Sequence, residues 1–166
     1  MWCVFDLASC PNSKTHHIKL GSSNVVTLHL AVERRAERLG FTAETITNLV
    51  RCYGDRALEV LDLAEQEGIT EKLLPGFPMA AVEAVYCARS EMAVHLADFV
   101  ARRTRLSLID SDAGIGASSR APDLLAAEMN WTPTERDKEI QDYRSSVEHE
   151  RGIATHPATV EPAGAG

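Results

Sequence analysis

Aromatic residues are scarce in this chain: phenylalanine, tyrosine and tryptophan make up 5% of its 166 residues. β-Branched runs are few as well, and the two shortages together disfavour a β-sandwich, whose strands draw on both residue types. No apolar run approaches the roughly 20 residues that a helix needs to cross a bilayer. Positive charge is outweighed, 17 Lys and Arg against 24 Asp and Glu, for a net charge of −7. That balance argues against a general nucleic-acid binder and leaves room only for a local basic patch. The four cysteines, Cys3, Cys10, Cys52 and Cys87, form no CxxC pair and no regular framework. Cys52 and Cys87 fall in helical patterns among apolar neighbours and are expected as small buried hydrophobes in a reducing compartment. The opening Met1–Cys10 lacks the basic stretch of a secretory signal, so a cytoplasmic location is expected.

What is present is helical periodicity. An apolar content of 45% suits one globular domain with a real core. Asn24 can cap a helix through Leu28, Val32 and Ala36, stopped by Gly40. Thr42 can cap a second through Ile46, Leu49, Val50 and Tyr53, ended by Gly54. Asp55 starts a third through Leu58, Leu61 and Ala64, ended by Gly68. Leu73–Pro78 is a connector, because Pro and Gly so close together cannot continue a helix. A fourth helix is predicted over Met79–Arg89, a fifth over Leu96–Ile109 and a sixth from Pro122. Thr132-Pro-Thr-Glu135 is a capping box that opens the last helix, through Ile140, Tyr143 and Val147 to about Arg151. The expectation is an all-α compact bundle of about six to seven short-to-medium helices. Residues 1–23 read as an irregular segment, 24–152 as the helical domain and 153–166 as a disordered tail.

Two of these helices carry a charge on an apolar face. On a wheel at 100° per residue, Leu96, Phe99, Val100 and Leu106 form a stripe with Arg103 in its middle. Arg102 lies on the flank, where Asp98 can pair with it four residues earlier. In the fourth helix, Met79, Val82, Tyr86 and Cys87 share a face with Glu83. A charge on a buried face is costly unless partnered, so Arg103 is expected to meet Glu83 or Glu91 across two helices.

Other motifs fail on inspection. Leu106–Ser119 contains a GxGxxS pattern, yet it lacks the third glycine and a surrounding βαβ unit, so a loop is expected rather than a phosphate cradle. Cys3, Cys10, His16 and His17 have irregular spacing for zinc, and no metal site is expected. Arg102, Arg103 and Arg105 could suggest a recognition helix on DNA, but Asp98 neutralises one of them and Arg103 is assigned to the interior. No nucleophile with a base, paired carboxylates or cofactor fingerprint emerges, so no catalytic residue is named. From the residues alone the chain is a helical interaction module.

Several ordered segments carry a resemblance. They are Leu49-Val-Arg-Cys-Tyr-Gly54, Leu74-Pro-Gly-Phe-Pro78, Glu83-Ala-Val-Tyr86, Glu91-Met-Ala93, Asp98-Phe-Val-Ala-Arg-Arg-Thr-Arg105 and Leu125-Ala-Ala-Glu-Met-Asn-Trp131. In this register, from about Ala31 to Arg151, the chain resembles the C-terminal helical domain of FAD-dependent (aerobic) glycerol-3-phosphate dehydrogenases. It departs from the pattern at Ser90, where the family usually has His, and at Asn130, where glycine is common; the first fourteen residues match nothing recognised. The resemblance implies an enzyme that oxidises glycerol 3-phosphate to dihydroxyacetone phosphate and passes electrons through FAD to quinone. It also implies that the flavin and catalytic residues lie in a portion absent from this chain, which would be an accessory cap domain inactive alone. The implied partner is an FAD-binding oxidoreductase domain, in cis or in trans, with a peripheral membrane association through the intact enzyme. Self-association through an orphaned docking surface is a further expectation. The alternative is a free-standing helical interaction or nucleic-acid-binding regulator acting through Arg102 and Arg105, which salt-sensitive retention on DNA would reveal.

Overall fold

The computed structural model describes residues 22–115 and 120–155, and every regular element within them is a helix. Helix α1 spans Ser22–Arg38, so Asn24 lies within the helix and not at the position preceding it. Thr42 caps α2, Ala43–Tyr53, its hydroxyl accepting from the Thr45 amide at 3.4 Å. A 3₁₀ turn, Gly54–Arg56, leads into α3, Ala57–Glu67. Gly40, Gly54 and Gly68 all have positive φ at the ends of these helices, which is where a residue without Cβ stops a helix at least cost.

Helix α4, Val82–Glu91, starts later than the sequence pattern predicts. The reason is a local tether: Leu73 N–H donates to Met79 O at 2.9 Å and Ala81 N–H to Glu71 O at 2.9 Å. These bonds hold Met79–Ala81 antiparallel to residues 71–73, around an isolated bridge between Lys72 and Ala80. The predicted fifth helix is also divided. Asp98–Arg103 is a π-helical turn, and Arg105 takes left-handed backbone (φ 57) before a single-turn α5, Leu106–Ile109. Helix α6 spans Ala121–Met129 and α7 spans Pro133–Thr155. Asn130 ends α6 at φ 54, a conformation glycine takes freely and asparagine tolerates better than most residues. The capping box at Thr132 forms: the Glu135 carboxylate accepts from the Thr132 amide at 2.7 Å, and the Thr132 hydroxyl accepts from the Glu135 amide at 3.3 Å.

The core gathers around α4, which is buried on every side from Val82 to Ala88. A helix without a polar face belongs at the centre, and α3, α6 and the π turn surround it. Phe99, Leu49, Leu61, Leu96, Leu106 and Leu125 are its largest fully buried side chains. Helix α7 contributes one face only, through Tyr143 and Val147, and the Tyr143 hydroxyl donates to Ala113 O. Ion pairs tie the helices at the surface: Arg89 to Glu67 and Glu128, and Arg136 to Asp123. Such exposed pairs contribute about 0–1 kcal/mol each.

Cys87 is buried as expected, but Cys52 is exposed. Its place on α2 is the flank beside Asn48, not the core-facing row of Ile46 and Leu49. Cys3, Cys10, His16 and His17 lie outside the described residues, as do 1–21 of the irregular N-terminal segment. Of the expected tail, Ile153–Thr155 is the last turn of α7 and residues 156–166 lie outside the described residues. No helix of the described residues is long and apolar enough to cross a membrane.

Candidate functional site

The C-terminal half of α2, the two ends of α4 and the π turn with its exit meet around a cleft of about 490 Å³. Helix α2 contributes Arg51 and Tyr53, α4 contributes Glu83 and Glu91, and the segment after Val100 contributes Arg102, Arg103 and Arg105. Four of the segments that carry the family resemblance therefore converge on one place, though they span more than fifty positions of sequence.

Glu83 lies at the floor, 3% exposed. Among the described residues no cation pairs with it. One carboxylate oxygen accepts from the Ala80 amide at 2.6 Å and the other from the Tyr53 hydroxyl at 3.0 Å. Burial raises its pKa to about 7, against the two hydrogen bonds that favour the ionised form, and nearby Glu91 adds to the rise. Tyr53 in turn is held far above the ordinary phenol range by burial and by the Glu83 charge. Its ring meets the edge of Tyr86, centroids 5.3 Å apart, and the Arg56 guanidinium covers Tyr86 from 5.3 Å.

Arg103 stands beside Glu91 and not Glu83. Its Nη1 is 3.4 Å from Glu91 Oε2, and its Nη2 donates to the Glu91 carbonyl at 3.0 Å. Arg56 approaches the same carboxylate at 4.0 Å, and the Cys87 thiol donates to it at 3.4 Å. The side chain of Arg103 is 45% exposed, so it does not sit in the middle of an apolar stripe. The π turn is the cause. Closing hydrogen bonds five residues apart instead of four, as Thr104 N–H does to Phe99 O, widens the turn and advances each residue by less than 100°. Phe99 and Val100 stay inside and Arg103 swings to the rim. Arg102 pairs with Asp98 at 2.6 Å and is 77% exposed.

Arg51 escaped the reading of the sequence as a site residue, and Arg105 was considered there only as a nucleic-acid contact. Arg51 donates to Asn48 Oδ1 at 3.1 Å, and no carboxylate lies within ion-pair distance of either arginine among the described residues. The signal available was the Leu-x-Arg-x-Tyr-Gly segment, whose arginine and tyrosine stand on the same side of α2 as the cleft.

The described part of the GxGxxS pattern offers no phosphate cradle for FAD, and residues 116–119 lie outside the described residues. Gly114, the first glycine of the GxGxxS pattern, has φ +73 and a Cβ there would meet Val100 Cγ1 at 2.6 Å and Leu106 Cβ at 2.8 Å. Its amide is taken by the Asp110 carboxylate at 2.9 Å. This glycine allows the chain to pack on its own core, with no open cradle for a pyrophosphate. Among the described residues no cluster of His, Cys, Asp and Glu could hold a metal ion.

The sequence pattern of the C-terminal domain of alpha-glycerophosphate oxidase matches residues 13–136. A mitochondrial glycerol-3-phosphate dehydrogenase of Arabidopsis thaliana is 35% identical over 101 residues, covering 61% of this chain and 16% of that protein. The mitochondrial glycerol-3-phosphate dehydrogenase of Bos taurus is 29% identical over 153 residues, covering 84% of this chain and 21% of its own. A glycerol-3-phosphate dehydrogenase of Synechocystis is 30% identical over 122 residues, 72% of this chain and 22% of its own. The chain thus spans about a fifth of the length of the curated relatives it matches. No solved structure matches it at a significant level.

Proposed function

Because this chain belongs to the family of the C-terminal domain of alpha-glycerophosphate oxidase, we propose that it is the helical accessory part of an FAD-dependent enzyme that oxidises glycerol 3-phosphate, without chemistry of its own. The match over residues 13–136 carries this reading. In it, the flavin and the reacting substrate are held by another domain, joined to this one or supplied by a companion chain, and the helical bundle packs against that domain.

A surface suited to packing surrounds the arginine cleft. Met92 is 83% exposed, Leu108 79% and Ile109 56%, high exposures for large apolar side chains in a bundle that fully buries Leu49, Leu61, Leu96 and Leu125. Met92 stands where α4 ends and Ile109 where α5 ends, so both flank the π turn. Covering these three side chains with the flavin-binding domain would remove them from water. A cytoplasmic location, peripheral to a membrane through the intact enzyme, is the one this reading favours.

The test mixes the purified chain with FAD, glycerol 3-phosphate and an artificial electron acceptor. The expected result is no turnover and no flavin absorbance after gel filtration. Turnover, or flavin retained by the chain, would overturn the reading of an accessory domain.

A further inference from the structure

The geometry points to an oxyanion-binding site at Arg51 and Arg105, taking the phosphate or carboxylate head of a small molecule into the cleft.

Charge distribution is the first support. The whole chain carries a net −7, yet four guanidinium groups line one cleft. Two of them are already matched, Arg102 by Asp98 at 2.6 Å and Arg103 by Glu91 at 3.4 Å. Arg51 and Arg105 are left without a carboxylate among the described residues. The acidic groups facing the cleft do not cancel them: Glu91 is engaged by Arg103 and Arg56, and Glu83 lies at the floor with its oxygens turned to the Ala80 amide and the Tyr53 hydroxyl.

Backbone geometry is the second. Arg105 has φ 57 and ψ 21, a left-handed conformation that costs a residue with a Cβ about 1–2 kcal/mol. Glycine would sit there without that cost. The strain is held in place by Thr104, whose hydroxyl donates to Val100 O at 2.8 Å and accepts from the Leu106 amide at 3.3 Å. The preceding π turn is a second local irregularity of a kind that gathers at functional sites. Arg102, Arg103 and Arg105, drawn from four consecutive positions, all line this one opening. The cleft, at about 490 Å³, has the size of a small-molecule site. Guanidinium forks bind phosphate and carboxylate oxygens in the same paired geometry, so the class of ligand is the oxyanion.

The experiment follows amide chemical shifts and binding heat as the full chain is titrated at low ionic strength with inorganic phosphate, glycerol 3-phosphate or succinate, and with sodium chloride as the screening control. Saturable binding is expected, with shifts centred on Arg51, Thr104 and Arg105. Response to the two phosphates alone assigns a phosphoryl site, response to succinate alone a carboxylate site, and response to both a general oxyanion site; each supports the proposal. Arg51→Ala and Arg105→Gly should each weaken binding about tenfold or more, the loss of one charge-assisted hydrogen bond. Arg105→Gly should keep or raise the melting temperature, because glycine relieves the left-handed strain. Arg144→Ala, on an exposed position of α7 away from the cleft, should change nothing. A linear titration shared with chloride, or an equal loss in Arg144→Ala, would overturn the site.

Discussion

Glu83 and Glu91 stand on one helix and face one cleft, and the protein keeps each by a different device. Glu83 is 3% exposed and meets only neutral donors, the Ala80 amide and the Tyr53 hydroxyl. Glu91 keeps 16% of its side chain exposed and meets two guanidinium groups. Burial without a cation is tolerable for Glu83 because the carboxyl can hold a proton near neutrality, whereas the rim position of Glu91 leaves water and arginine to stabilise its charge. A buried acid therefore does not require a buried base, and pairing is found where the cost of the charge is already reduced by solvent.

The largest expected effect comes from removing the sealed carboxyl. Glu83→Ala leaves the Ala80 amide without its partner, leaves the Tyr53 hydroxyl only the Cys87 thiol at 3.7 Å, and opens space in the centre of the bundle. At pH 5, a loss of about 4 kcal/mol is expected from the orphaned Ala80 amide, the weakened Tyr53 contact and the cavity. Urea unfolding measures it. A loss below about 1 kcal/mol would mean that water replaces the carboxyl and that the floor is not sealed.

The second effect is the pH dependence of stability. The Glu83 pKa is raised from 4.5 to about 7 on folding. Between those values the unfolded chain has released this proton and the folded chain still binds it. The stability from Glu83 is then fully present below about pH 4.5 and is lost as pH rises through about 7. Glu83→Gln imitates the protonated form, keeping an acceptor for the Ala80 amide, and so removes this slope. The stability of wild type relative to Glu83→Gln should fall by on the order of 3 kcal/mol from pH 4.5 to pH 7.5. Taking the difference between the two proteins removes the contribution of groups such as Glu71, which shifts the other way. A flat difference would place a cation or water beside Glu83 and erase the contrast with Glu91.

The contrast also marks where sequence reading stops. Helix stops at Gly40, Gly54 and Gly68 and the Thr132 capping box were legible, because local backbone chemistry determines them. The position of Glu83 on an apolar face was legible too, since α4 keeps ordinary helical spacing. Arg103 was placed wrongly because a wheel assumes 100° per residue, and the π turn breaks that assumption at the residue of interest. The late start of α4 depends on hydrogen bonds to residues 71–73, a tether between segments that no helical period reveals. Arg51 and Arg105 could not be joined from sequence, because their meeting depends on how α2 lies against the exit of the π turn. The left-handed Arg105 gives no signal either, since nothing in its residue type favours that conformation.

The smallest effects lie at the rim, where the two arginines of the π turn separate pairing from capping. Arg103 does more than neutralise Glu91: its second nitrogen also holds the Glu91 carbonyl, one of the last acceptors of α4. Arg102 holds only the Asp98 carboxylate, at 77% exposure. Screening by solvent limits both, so Arg103→Ala should cost about 1 kcal/mol and Arg102→Ala about 0.3 kcal/mol or less. Raising the salt concentration should shrink the part of the Arg103 loss due to Glu91 while leaving the carbonyl bond largely intact. Chemical denaturation of both variants at two salt concentrations makes the measurement. A loss of about 3–5 kcal/mol for Arg103→Ala would show Glu91 behaving as a buried charge stripped of its partner, and the two carboxylates of α4 would then share one environment.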